Sequence, residues 1–108
     1  MKTNMTYHAR KERCSRIDYI IDTVGIGDVI ASIATTDSLG RKGFQKLTNT
    51  GVIIVLSADE HTVVTTYIAT LGQACAIYKT DKNCKFLPDG LYKKINNNAK
   101  YIKGQPKE

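Results

Sequence analysis

The chain has no tryptophan, no apolar run near membrane length and only three cysteines, and each shortage closes off a class of protein. A membrane helix needs about 20 consecutive apolar residues. The longest apolar run, Val-Ile-Ile-Val-Leu at residues 52–56, is the length of a strand. The opening Met-Lys-Thr-Asn-Met-Thr-Tyr-His has no apolar stretch after its lysine, so no secretory signal and no membrane partner are expected, and the expected compartment is the cytoplasm, that of the host if the chain is phage-encoded. Cys14, Cys75 and Cys84 are odd in number, and neither His8 nor His61 stands at ligand spacing from a second thiol. Such a set makes neither a disulfide framework nor a zinc site, and reduced, partly buried thiols are expected. A third glycine is missing from Gly25-Ile26-Gly27, which follows a helical segment, so it is no dinucleotide loop. Ser/His/Asp signatures and spaced carboxylate pairs are also missing. No metal and no cofactor are therefore expected.

Positive charge, in contrast, is plentiful and unevenly placed. The 108 residues carry 16 Lys and Arg against 10 Asp and Glu. Residues 1–16 hold five basic groups and one acidic; residues 79–108 hold eight lysines and three acidic groups; the stretch between is net negative. Clustered cations attract phosphate polyanions by steering and counterion release, which makes RNA or another nucleic acid the expected partner. An acidic protein is the other partner that this charge would suit, and a merely solvated lysine-rich surface is the plain reading.

One domain spanning residues 1–108 is expected, with an ordered core over about 6–102 and a disordered basic extension at 103–108. Residues 1–5 read as a frayed start. Thr6 is positioned to cap an amphipathic helix over 7–24, in which Ala9, Ile17, Ile20, Ile21 and Val24 share a face. Residues 29–34 read as a second short helix, or as a continuation bent at the glycines. A loop is expected at 35–43 and a short strand at 44–47. The strongest local signal is a pair of β-branched runs, 52–56 and 62–68, joined by the polar Ser57-Ala58-Asp59-Glu60-His61, which together predict an antiparallel hairpin. Asp59, Glu60 and His61 then read as solvated turn residues. Residues 73–78 suit a short helix or a third strand, 80–85 a charged loop, and 91–102 a helix with Leu91, Ile95, Ala99 and Ile102 on one side. The fold class is α+β: N-terminal helices packed on a small antiparallel sheet with a central hairpin.

Chemistry concentrates in Tyr7-His8-Ala9-Arg10-Lys11-Glu12-Arg13. Metal-independent RNA cleavage needs a group that moves the 2′-hydroxyl proton, a cation on the crowded phosphorane and a donor that positions the phosphate. Histidine titrates near neutrality, which suits His8 to the first task, and neighbouring cations favour its neutral form. Arginine forks hold phosphate bidentately, which suits Arg10 and Arg13 to the second. The bland alternative is an exposed histidine on a surface helix.

His8-Ala9 early in a helix, basic residues over the next turns, Arg16-Ile17 further on, and a strand ending Val63-Val64-Thr65-Thr66-Tyr67 resemble the pattern H-A-x-x-R-x-x-x-R-G-I followed by V-V-T-x-Y. That pattern is similar to the barnase/EndoU/colicin/RelE-like superfamily of metal-independent ribonucleases, which includes bacterial toxins and phage proteins. The resemblance covers residues 7–68. It implies one or two N-terminal helices on a curved antiparallel sheet and an endoribonuclease-like site in which His8, Arg13 and Thr65 are catalytic. Arg10, Lys11, Arg16 and Lys46 would hold nucleic acid, with Lys46 facing the cleft. Glu12 stands where the family has arginine, and Arg16 where it has glycine, which puts the position of the cation in doubt. Residues 71–108 look like a phage-type extension. The rival expectation is a non-catalytic, phage-encoded binding protein that inhibits a host nucleic-acid machine, such as a CRISPR effector or transcription. An enzyme would call for an antitoxin partner, an inhibitor for a host protein.

Overall fold

The computed structural model describes residues 4–5 and 14–106. The fold is α+β; among the described residues there are five strands, β1 (Asn4–Met5), β2 (Val29–Thr36), β3 (Lys42–Thr48), β4 (Val52–Ser57) and β5 (Thr62–Ile68), and three helices, α1 (Cys14–Thr23), α2 (Leu71–Lys82) and α3 (Asp89–Ile102). Strands β2 to β5 form an antiparallel meander, and β1 adds in parallel beside β5, giving the order β1-β5-β4-β3-β2. The expected hairpin is present: Val52 lies opposite Ile68 and Val55 opposite Thr65. Residues 4–5, read as a frayed start, are instead paired with Thr62 and Val63.

Strand β2 replaces the expected second helix. Its apolar residues Val29, Ile30, Ile33 and Ala34 satisfy helical spacing, but five of its eight residues are Val, Ile or Thr, which suit a pleated surface. Pairing with β3 buries Ala31 against Leu47. The loop expected at 35–43 shrinks to the turn of the β2–β3 hairpin. There Asp37 N–H donates to Arg41 O at 2.9 Å, and Asp37 Oδ1 accepts the backbone N–H groups of Leu39 and Arg41, both at 2.9 Å.

Both faces of the sheet are covered, by different helices. On one face α2 and the first half of α3 bury Ala74, Ile77, Leu91 and Ile95 against Ala31, Leu47, Ile53 and Ala69. On the other face α1 buries Ile20 and Val24 against Val52 and Ile68. Residue Ile21, expected in this stripe, is 51% exposed; it lies one residue, about 100° of helix rotation, from Ile20. Helix α1 stops where Gly25, at φ 76°, donates to Ile20 O at 2.9 Å. The 7–13 part of the predicted helix lies outside the described residues.

Helix α2 opens with a capping box. Thr70 Oγ1 accepts from Gln73 N at 3.2 Å, and Gln73 Oε1 accepts from Thr70 N at 2.9 Å. It runs to Lys82, through part of the expected charged loop, and ends at Asn83 in the left-handed region, φ 52°. Helix α3 joins the two cores: Leu91 and Ile95 belong to one, Tyr101 and Ile102 pack on the other. Between them, Asn98 is fully buried and donates from Nδ2 to Thr50 O at 2.8 Å, in the β3–β4 turn. The tail expected to be disordered is tied down over 103–106. Gln105 Oε1 accepts from Ile68 N at 2.9 Å, and Arg16 Nε donates to Pro106 O at 2.8 Å. These bonds satisfy the free end of β5 and one side of α1, so the tail completes the α1 face.

Candidate nucleic-acid interface

Four of the expected site residues, His8, Arg10, Lys11 and Arg13, lie outside the described residues. The other three do not converge. Lys46 lies opposite Ile54, and Thr65 lies opposite Val55. Residues directly opposite across a ladder share a face, and consecutive residues of a strand alternate faces. Lys46 and Thr65 therefore point to opposite sides of the sheet, Lys46 to the α1 side and Thr65 to the α2 side. No single phosphate within hydrogen-bond reach of one is within reach of the other. The ammonium of Lys46 is already paired with Glu60 at 2.6 Å, and the side chain is only 20% exposed. Arg16 is half-buried and holds the C-terminal tail. Two of the three described candidates thus serve the fold.

A concavity of about 320 Å³ lies between the β2–β3 hairpin and the end of β4. It is lined by Thr35, Arg41, Lys42, Val55, Ser57 and Val64, among others. Three of its polar side chains, Asp37, Arg41 and Ser57, are already hydrogen-bonded. Arg41 Nε donates to Asp37 Oδ2 at 2.7 Å, and Ser57 Oγ donates to Asp59 Oδ1 at 2.5 Å. The backbone N–H of Arg41, followed by its guanidinium, holds the Asp37 carboxyl below its ordinary value of 3.8. The Ser57 hydroxyl and then the His61 N–H do the same for Asp59. Asp59 is therefore an organiser of the β4–β5 turn, and His61 remains an exposed turn residue. Among the described residues no cluster of His, Cys, Asp and Glu is arranged to hold a metal ion.

Cations gather on α2, the 83–88 connection and α3. Residues 79–103 carry seven lysines against Asp81 and Asp89. Lys79, Lys82, Lys85, Lys93, Lys100 and Lys103 are exposed, and Lys94 is half-buried. Helical periodicity explains the separation. Leu91, Ile95 and Asn98 face the core, which leaves Lys93, Asn96, Asn97 and Lys100 on the outer stripe of α3. Ala74 and Ile77 turn inward in the same way, leaving Lys79 and Lys82 outside at the end of α2. Among the described residues the one ion pair these lysines make is Lys82 Nζ with Asp81 Oδ2, at 3.7 Å, and that carboxylate oxygen also accepts Ser32 N at 3.0 Å. Exposed aromatics stand in the same segment: Phe86 in the 83–88 connection and Tyr92 in the first turns of α3.

The lysine block was legible in the sequence as charge, but the His8 motif drew the site to the other end of the chain. Phe86 had no sequence signal of its own. In the pair Phe86-Leu87 either side chain could have entered the core, and only the packed structure shows Leu87 inside and Phe86 outside.

No family model matches the chain, and neither a curated protein nor a solved structure does. No helix among the described residues is long and apolar enough to cross a membrane.

Proposed function

We propose that the chain is a nucleic-acid-binding protein, with RNA as its first ligand, and that the outer surface of α2, the 83–88 connection and α3 makes the contact. The observation that carries this reading is the row of exposed lysines from Lys79 to Lys103, of which only Lys82 has an acidic neighbour within ion-pair distance among the described residues. An ammonium left in water and aimed outward is free to replace a counterion on a phosphate. The exposed Asn96 and Asn97 add donors and acceptors to the same stripe. Asparagine is a mediocre helix former, and at solvent-facing positions packing does not account for it. Cytoplasmic residence, where the free thiols Cys75 and Cys84 would stay reduced, suits this function.

Binding, and not cleavage, is the reading favoured, because Lys46 and Thr65 face opposite sides of the sheet and Lys46 is neutralised by Glu60. The test is the salt dependence of affinity for a fluorescent RNA. If about four phosphates are neutralised, log K should fall with log salt at a slope near −3, so affinity drops roughly 50-fold between about 50 and 200 mM salt. Binding that is absent at low salt, or indifferent to salt, would overturn the proposal and leave an acidic protein as the better partner for this surface.

A further inference from the structure

We propose that this surface takes nucleic acid single-stranded, and that Phe86 is the platform on which one unpaired base stacks. The proposal rests on the nucleic-acid reading above and goes further by naming the form of the ligand. Phe86 is 72% exposed and belongs to neither core. Its outward position is imposed by its neighbours. Asn83 ends α2 with a left-handed residue, Cys84 Sγ lies 3.3 Å from Phe86 O in a hydrogen bond, and Leu87 is buried at 8% exposure. With the backbone held on both sides, the ring is presented from a tethered segment and not from a loose loop.

The surroundings suit a single strand. Lys85 Nζ lies over the Phe86 ring, 5.7 Å from its centroid, so one face of the ring carries a cation; a base would stack on the opposite face, or displace the flexible ammonium toward its own phosphate. Lys82 stands on one side of this pair in the chain, and Tyr92, 47% exposed, with Lys93 on the other. Alternation of cation and aromatic ring is the arrangement that binds backbone and base faces together, with little dependence on sequence because every base has a π face. In a duplex those faces are buried in the stack, and Phe86 would have nothing to meet. The same chemistry serves RNA and DNA, so both are expected to bind when single-stranded.

The experiment compares the full chain with Phe86→Ala and Phe86→Trp, using an oligouridylate of about twelve nucleotides, an oligothymidylate of the same length and a duplex of that length at low salt. Phe86→Ala should weaken both single strands about tenfold and change duplex affinity less than twofold. Phe86→Trp should restore single-strand affinity. Because the chain has no other tryptophan, the fluorescence of this variant reports on the site alone, and it should be quenched by the single strands and not by the duplex. Unchanged single-strand affinity in Phe86→Ala, or unquenched fluorescence at saturation, overturns the stacking proposal while leaving the lysine surface intact as a binding site. A wild-type chain that binds none of the three probes overturns both readings, and duplex preferred over single strand overturns this one alone.

Discussion

At the scale of single residues, polar side chains spend most of their bonding capacity on turns. Thr50 Oγ1 bonds to Gly25 O at 2.6 Å and Ile26 O at 2.9 Å, Thr48 Oγ1 accepts from Val52 N at 3.2 Å, and Asn98 Nδ2 reaches Thr50 O. Gly51 sits under Asn98 at φ 85°, and a Cβ there would lie 2.9 Å from both Asn98 Nδ2 and Ile95 Cγ1. Gly51→Ala combines a left-handed backbone with a clash against a buried helix, and should cost about 3 kcal/mol in urea denaturation. Asp37 and Asp59 act at the other end of the sheet. Their folded carboxyls titrate below the ordinary 3.8. A lowered folded value means the contribution is fully present above 3.8 and is lost as pH falls through the folded value. The melting temperature should therefore fall on acidification below about pH 4, and fall less steeply in the double variant Asp37→Asn, Asp59→Asn. Identical acid limbs in the two proteins would contradict the assignment. None of these roles was visible in the sequence, where Asp59, Asn98 and Thr50 are polar residues with nothing to mark which will be enclosed.

At the scale of elements, the sequence was most informative where its signals agreed. The runs at 52–56 and 62–68 read as strands because β-branched residues, length and a polar turn agreed, and they pair as expected. Strand β2 is ambiguous in sequence because Val29, Ile30, Ile33 and Ala34 satisfy two periods at once, and the deciding factor, pairing with β3 through seven residues, is not local. Helix α2 carries a local start signal, since Thr70-Leu71-Gly72-Gln73 is a capping box, although Gly72 in the first turn disguises it. Thr70→Ala should remove the cap and cost about 1 kcal/mol, measured by urea denaturation. No loss of stability would mean that packing of Ala74 and Ile77 alone sets the start of the helix. The His8 motif pointed to a site whose sheet partners do not meet. A motif on one helix says nothing about which faces two distant strand residues present, and a strand position one residue different changes that face.

At the scale of the whole molecule, the sheet divides the labour. Helix α1 and the 103–106 tail close one side, with Arg16 and Gln105 committed to that closure. Helix α2 and the first half of α3 close the other side, and both helices turn most of their lysines outward. The uneven charge seen along the chain thus becomes, at its C-terminal end, a charged surface. The most direct test measures the salt slope of RNA affinity after charge reversal at two places. Lys93→Glu with Lys100→Glu, on the outer stripe of α3, should reduce the slope by about 1.5 and weaken binding at every sequence alike. Lys42→Glu, at the exposed start of β3 away from the helices, should leave the slope unchanged. Equal loss from both variants would show that only net charge matters, and an unchanged slope in the α3 variant would contradict the helical surface as the place where nucleic acid binds.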